Sequence, residues 1–213
     1  MSRTPKRKYD SGQRNQAAEI TKGRVLGAAR TLFTRHGIDR VTIAQIAGKA
    51  KVAVSTIYAL YKSKEGILRA LRSDALFSSR FQSAQAQLSG VTDPVRLIAL
   101  TAHVARAIYE SESSELGFLR GTWAFSPALR KLEQEFEKVR YDMQEERVKL
   151  LFAQSKSKKG LNLASARRIL WMYTSRDIYR MLVNESGWTP DQYQVWLSDT
   201  LLTALVDSGA SSQ

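Results

Sequence analysis

The side chains that most often carry catalysis are sparse in this chain. It has two histidines, His36 and His103, and no cysteine. That composition removes thiolate zinc sites, iron–sulfur clusters, disulfide frameworks and cysteine nucleophiles. No Glu-x-x-His pair, Gly-x-x-x-x-Gly-Lys loop or Gly-x-Ser-x-Gly elbow occurs, so the di-iron, phosphate-loop and hydrolase chemistries built on them lack their residues. Glu133, Glu135 and Glu137 interleave with Lys131 and Lys138, the pattern of a solvated helix face. No enzyme and no cofactor is expected. What the sequence does offer is a set of hydrogen-bonding and small apolar groups close together: Thr42, Val54, Ser55, Thr56, Tyr58, Ala59 and Lys64. Hydroxyls donate and accept, an ammonium meets anions, and small apolar groups fit against methyls. Such a set reads a surface rather than making or breaking bonds.

The charge distribution says what kind of surface. The 213 residues carry a net charge of +13. Residues 1–74 hold 16 basic and 5 acidic side chains, while residues 75–213 hold 17 and 15. A strongly basic module is therefore joined to a nearly neutral body, and its natural partner is a polyanion. No apolar run approaches the roughly 20 residues that span a bilayer, and no apolar stretch follows the charged start Met-Ser-Arg-Thr-Pro-Lys-Arg-Lys, so neither membrane nor export is expected and a cytoplasmic location is.

The elements that position these groups read as helices throughout. Three of the four prolines follow a short oxygen-bearing residue, at Asp93-Pro94, Ser126-Pro127 and Thr189-Pro190. This is an N-cap followed by the first helical residue. Gly37, Gly90, Gly160 and Gly187 supply stops, and no sustained alternation or hairpin turn marks a strand. The fold class is all-α: an N-terminal three-helix domain, then a C-terminal bundle. Residues 1–16 read as a basic arm, 17–62 as the first domain, and 63–213 as a connecting helix and bundle. In the first domain a helix over about 17–36 turns Ile20, Val25, Ala29, Leu32 and Phe33 inward. Thr42-x-x-Gln45 is a capping box that starts a second helix, and a third covers Val54 to Tyr61 with Ile57 inward. Ser63 caps a long helix running to about Ser89.

Two short helices joined by a tight turn, in the most basic part of the chain, make a helix-turn-helix for double-stranded DNA. Its second helix enters the major groove, with Val54, Ser55, Thr56, Tyr58 and Ala59 toward base edges. Thr42 and Lys64 are placed for phosphates. The run from Thr42 to Leu68 carries the skeleton T-x-x-x-I-A-x-x-A-x-V-x-x-x-T-x-Y-x-x-[FY]-x-S-K-E-x-[IL]-[IL]. It resembles the DNA-binding domain of the TetR (tetracycline-repressor) family over about residues 17–70. The resemblance implies a homodimeric transcription factor, usually a repressor, that binds a palindromic operator and is released by a small molecule in the C-terminal bundle. It places Thr42, Thr56, Tyr58 and Lys64 at the family's usual DNA contacts. The chain departs from the family pattern with Lys51 where the turn is usually Gly, Ala53 in place of a Ser cap, and Val54 and Leu60 where polar residues are common. Lys51 is asked for a left-handed backbone, and the third helix starts without a side-chain cap.

In the body, Leu129, Leu132, Phe136, Val139 and Met143, with Leu150 beyond, form one apolar stripe. Ile169 to Tyr173 are apolar or aromatic in unbroken succession, so the helix from Leu163 to Val183 needs cover on every side. A symmetric dimer supplies it, and so does a central place within one chain's bundle. Phe118, Trp123, Met143, Trp171 and Tyr179 are the candidate lining of an effector site, with His103 and Arg176 as orienting polar groups. The effector expected is small and apolar or aromatic. Two other readings compete: a sequence-independent DNA-packaging protein, and a helical enzyme with an appended DNA-binding domain. Arg3, Lys6, Arg7, Lys8 and Arg14 form an arm for extra phosphate or minor-groove binding. Removing residues 1–14 is expected to lower operator affinity and flatten its salt dependence by about 0.9 log unit for each phosphate no longer neutralised. Duplex titrations over a salt series measure this, and an unchanged slope makes the arm a solubilising tail.

Overall fold

The computed structural model of the chain describes residues 11–116, 127–207 and 209. Those residues divide into two compact units, the first ending at Leu71 and the second starting at Arg72. All-α is what they show; extended pairing amounts to one isolated bridge between Ser157 and Val206. No helix among them is long and apolar enough to cross a membrane.

In the first unit, α1 (Ser11–His36) packs on α2 (Ile43–Ala50), and α2 packs on α3 (Val54–Tyr61). Val25, Ala29, Phe33, Val41, Ile46 and Ile57 are buried together with Ile67, Leu68 and Leu71 of α4 (Lys64–Leu76). Helix α1 begins earlier than its apolar period suggests, and Ile20 lies 59% exposed rather than inward, because residues 15–20 have nothing packed over them. The Thr42 capping box forms in full: the Gln45 N–H donates to Thr42 Oγ1 at 3.2 Å and the Thr42 N–H to Gln45 Oε1 at 2.8 Å. Lys51 is left-handed, with φ 54 and ψ 49. The Lys51 and Val52 N–H groups turn back to the Gly48 and Ala47 carbonyls, which closes α2 in a Schellman turn. Arg24 completes it by donating from Nη2 to the carbonyls of Ala50, at 2.5 Å, and Lys51, at 2.9 Å. Ala53 gives α3 no side-chain cap.

The join between α3 and α4 is the tightest point in the unit. Lys62 takes a positive φ of 66, and Ser63 Oγ accepts the Gly66 N–H at 3.2 Å. A Cβ on Gly66 would lie 1.8 Å from the Tyr61 carbonyl oxygen. Helix α4 starts flush against the end of α3 because residue 66 has no side chain.

In the second unit, α6 (Pro94–Leu116) lies against α11 (Pro190–Leu205) at the centre, with α8 (Glu145–Ala153) and α9 (Leu163–Tyr173) alongside. Ile98, Ala102, Ala105 and Tyr109 meet Tyr193, Leu197, Leu201 and Leu205, and Val148, Leu151, Ala166 and Leu170 complete this core. Helix α5 (Ser79–Ala86) covers another side of α6 through Phe81 and Ala84. The Asp93 and Thr189 caps form: Asp93 accepts the Val95 and Arg96 N–H groups, and Thr189 makes a capping box with Gln192. Helix α7 (Pro127–Met143) begins at its expected proline. Ser126 lies outside the described residues, as does the side chain of Leu129. Gly37, Gly90, Gly160 and Gly187 all have positive φ.

Three expected helices are shorter than their periodicity suggests. The run from Ser63 to Ser89 breaks after Leu76, because Ser78 accepts the Phe81 N–H and starts α5 anew. The stripe after Pro127 breaks at Gln144, whose side chain makes no cap bond to α8. The run from Leu163 to Val183 breaks at Thr174, where Ser175 caps the short α10 (Arg176–Tyr179) and a wide π turn follows over Arg180–Glu185. Within one chain Leu170 is buried while Trp171 and Met172 stay 36% and 48% exposed. The described residues of its own chain do not cover this helix on every side.

Gly66→Ala is expected to destabilise the first unit by more than about 2 kcal/mol, since the added methyl meets backbone rather than a movable side chain. Thermal melting followed by circular dichroism checks this, and a melting temperature within about a degree of wild type contradicts the close approach.

Candidate functional site

Helix α3 presents a face and hides its back. Ile57 is wholly buried, while Val54 and Tyr58 are 41% and 49% exposed. Ser55 and Ala59 are exposed beside them, and Thr56 is half-buried. A helix of two turns with one buried anchor and this outward set is shaped to lie in a groove. At the head of α2 the Thr42 hydroxyl is committed to Gln45, and the first-turn N–H groups of Ile43 and Ala44 lie beyond helical pairing, which favours an anion there. Lys64 is a strut: its ammonium donates to the carbonyls of Ile38 at 2.9 Å and Val41 at 3.3 Å, so one N–H of its three remains for a phosphate. Lys49, Lys51 and Lys62 are exposed in the same unit.

The second unit holds a half-open cavity of about 70 Å³ between the end of α4, α5, α6, α7, α8 and the start of α10. Its apolar wall includes Phe77, Phe81, Val104, Ile108, Phe136 and Val139, and its polar wall includes Arg140, Gln144, Arg147 and Arg176. Of the residues the sequence suggested, Met143 and Arg176 line it. Tyr179 sits behind the wall, its ring 5.4 Å from Tyr109 and 4.8 Å from Tyr193. Trp171 faces outward with Met172 and Tyr141 in a shallow open groove. His103 is bonded to Gln194 Oε1 through Nδ1 at 3.1 Å and lies away from the cavity. Phe118 and Trp123 lie outside the described residues. Arg72, Arg140, Gln144 and Arg147 were not anticipated.

A charged network forms the polar wall. Arg176 holds Glu112 with a two-pronged grip at 2.7 and 2.9 Å and reaches Glu133 at 2.6 Å. Glu133 also accepts from Arg72 at 2.5 Å, and Arg140 pairs with Glu137 at 2.5 Å. Glu133 and Glu137 therefore belong to an internal network and not to a solvated face, because Arg72, Arg140 and Arg176 converge on them. Among the described residues no group of three His, Asp or Glu is placed to hold a metal.

Residues 25–71 match the family model of bacterial regulatory proteins, tetR family. The match covers most of the first unit, which resembles the DNA-binding domain of that family. The fold of the whole chain is likewise that of solved regulators. NalD of Pseudomonas aeruginosa, the secondary repressor of the MexAB-OprM multidrug efflux pump, superposes with a TM-score of 0.69 at 21% identity, covering 91% of this chain and 99% of NalD. SmeT in its triclosan complex gives 0.67 at 19%, covering 89% and 93%. FadR of Bacillus subtilis in complex with stearoyl-CoA gives 0.65 at 17%, covering 85% and 97%. No curated protein matches the sequence.

In the second unit the network around the cavity sets its protonation. Burial pushes the Glu133 carboxyl up, but Arg176 and Arg72 outweigh it and hold the group below its ordinary value. Burial raises the Tyr109 hydroxyl to about 12 against the opposing pull of Arg140 and Arg176. It stays protonated and donates to the Thr174 carbonyl at 2.6 Å. Since the folded value of Glu133 lies below the ordinary 4.5, its contribution is present above that pH and lost as pH falls through the folded value. Glu133→Gln is expected to cost about 2 kcal/mol at neutral pH and to soften acid unfolding below about pH 4.5. Melts of both proteins from neutral to acid pH check this, and equal acid slopes would contradict the network.

Proposed function

We propose that this protein is a ligand-responsive transcriptional repressor that binds a palindromic operator as a homodimer and is released by a small molecule held in the second unit. The observation that carries the proposal is α3, anchored by Ile57 and presenting Val54, Ser55, Thr56, Tyr58 and Ala59 outward. The α2 N-terminus that Thr42 caps and the remaining Lys64 N–H then flank the groove as phosphate partners. Support for a ligand comes from the cavity with its apolar wall and from similar folds, SmeT with triclosan and FadR with stearoyl-CoA. Support for a dimer comes from the exposed apolar side chains Leu163, Trp171 and Met172 on α9. A second copy laid on this face removes them from water, at a gain of roughly 25 cal/mol per Å².

The mechanism is a shift of population. Two α3 helices fit successive major grooves only when their separation is about 34–36 Å or a multiple. A ligand that favours another separation lowers operator affinity by the factor by which DNA lowers affinity for the ligand.

Selection of bound duplexes from a random library tests the reading. The expected result is a palindrome bound about 10³-fold or more above random duplex, with Tyr58→Ala weakening it about tenfold and leaving the melting temperature unchanged. Uniform binding to all duplexes would replace the regulator with a packaging protein.

A further inference from the structure

The four arginines on the cavity wall are not equivalent. Arg72, Arg140 and Arg176 each have carboxylates from Glu112, Glu133 or Glu137. Arg147 has none among the described residues; its hydrogen bond is to the neutral Thr101 Oγ1 at 3.2 Å. That hydroxyl spends its own proton on the Leu97 carbonyl at 2.9 Å, so it lends a lone pair and no charge. Burial lowers the Arg147 pKa with no anion to oppose it, yet a guanidinium stays charged. Arg147 is half-buried, and a charge partly withdrawn from water without a counter-charge is costly; this one lines a cavity.

Gln144 adds an independent sign. It is 4% exposed and lines the same cavity. Its amide Nε2 donates to Thr174 Oγ1 at 2.8 Å, and the Thr174 hydroxyl donates onward to the Leu170 carbonyl at 2.7 Å. Thr174 therefore has no proton to give back, which fixes the amide orientation. Gln144 Oε1 is left buried without a partner among the described residues. One wall thus holds an uncompensated cation and an idle acceptor, one turn of α8 apart, opposite Phe81, Val104 and Ile108.

We propose that the effector is a small amphiphile with one carboxylate, received by Arg147, and a hydroxyl or N–H group received by Gln144 Oε1. The inference rests on the proposed effector role of this cavity and names the ligand class. The guanidinium fork matches a carboxylate in two parallel hydrogen bonds, and a monoanion balances the single unpaired charge. The apolar wall takes the hydrocarbon part.

The test uses the full-length protein, as wild type, Arg147→Met and Arg147→Lys, with matched probes: 2-naphthoate against 2-naphthylmethanol, and octanoate against 1-octanol. Calorimetry and thermal shift read the binding. Wild type is expected to bind each carboxylate about tenfold or more tightly than its alcohol. Arg147→Met should abolish the preference while the alcohols bind as before, and its ligand-free form should melt higher because the unpaired charge is gone. Arg147→Lys should keep part of the preference and serves if the methionine variant does not fold. Equal binding of acid and alcohol by wild type, or a preference that survives in Arg147→Met, overturns the anion site and leaves the cavity as an apolar effector site. Failure of every probe in every variant overturns both together, and operator selection then shows that the DNA-binding reading stands apart from them.

Discussion

Arg72 is almost wholly withdrawn from solvent, and a guanidinium survives there only when carboxylates and an aromatic face replace its water. Glu133 and Glu112 supply the charge, and the Phe136 ring lies 4.5 Å beneath the guanidinium carbon. Because Glu133 also binds Arg176, the same two carboxylates tie the ends of α4 and α10 to α6 and α7. Replacing such a cluster by hydrocarbon is close to neutral in stability, but removing one member is not. The cluster therefore behaves as a unit. The polar wall of the cavity and the side-chain positions on four helices follow from it.

The parts of the molecule legible in the sequence are those fixed by neighbours along the chain. The box at Thr42, the cap at Thr189, the proline starts and the glycine stops depend on three or four consecutive residues, and the helix-turn-helix skeleton is a string of such signals. The breaks at Ser78 and Gln144 were hidden because the apolar period carries across them. Phe77 and Phe81 stand four apart, as on one continuous helix, and their rings still touch edge to face at 5.5 Å. A serine inside such a pattern reads as tolerated until its side chain is seen turned to a backbone N–H.

The cavity was hidden for a different reason. Along α7 and α8, Phe136, Arg140, Met143, Gln144 and Arg147 fall on one face, and attention to the apolar members alone makes the polar ones look like solvent. Charged residues recurring on an apolar stripe are the available signal for a polar wall inside a bundle. Glu133 was misjudged the same way, since its partner Arg72 is remote in sequence and no local pattern pairs them. The aromatic residues were ambiguous for the converse reason. Tyr179, Trp171 and Met143 ended in the core, on the surface and at the cavity, and residue type does not distinguish the three.

Lys51 shows how a departure from a pattern is absorbed. The left-handed turn is strained for a residue with a side chain, and the Arg24 fork on two carbonyls holds it from across α1. The contact at residue 66 has the opposite character, for nothing there can yield. With the Tyr61 carbonyl seated on a bare Cα, α3 and the opening turns of α4 form a coupling with no backlash. Within the first unit the opening turn of α4 therefore fixes the direction in which α3 leaves it, through backbone contact that leaves no slack.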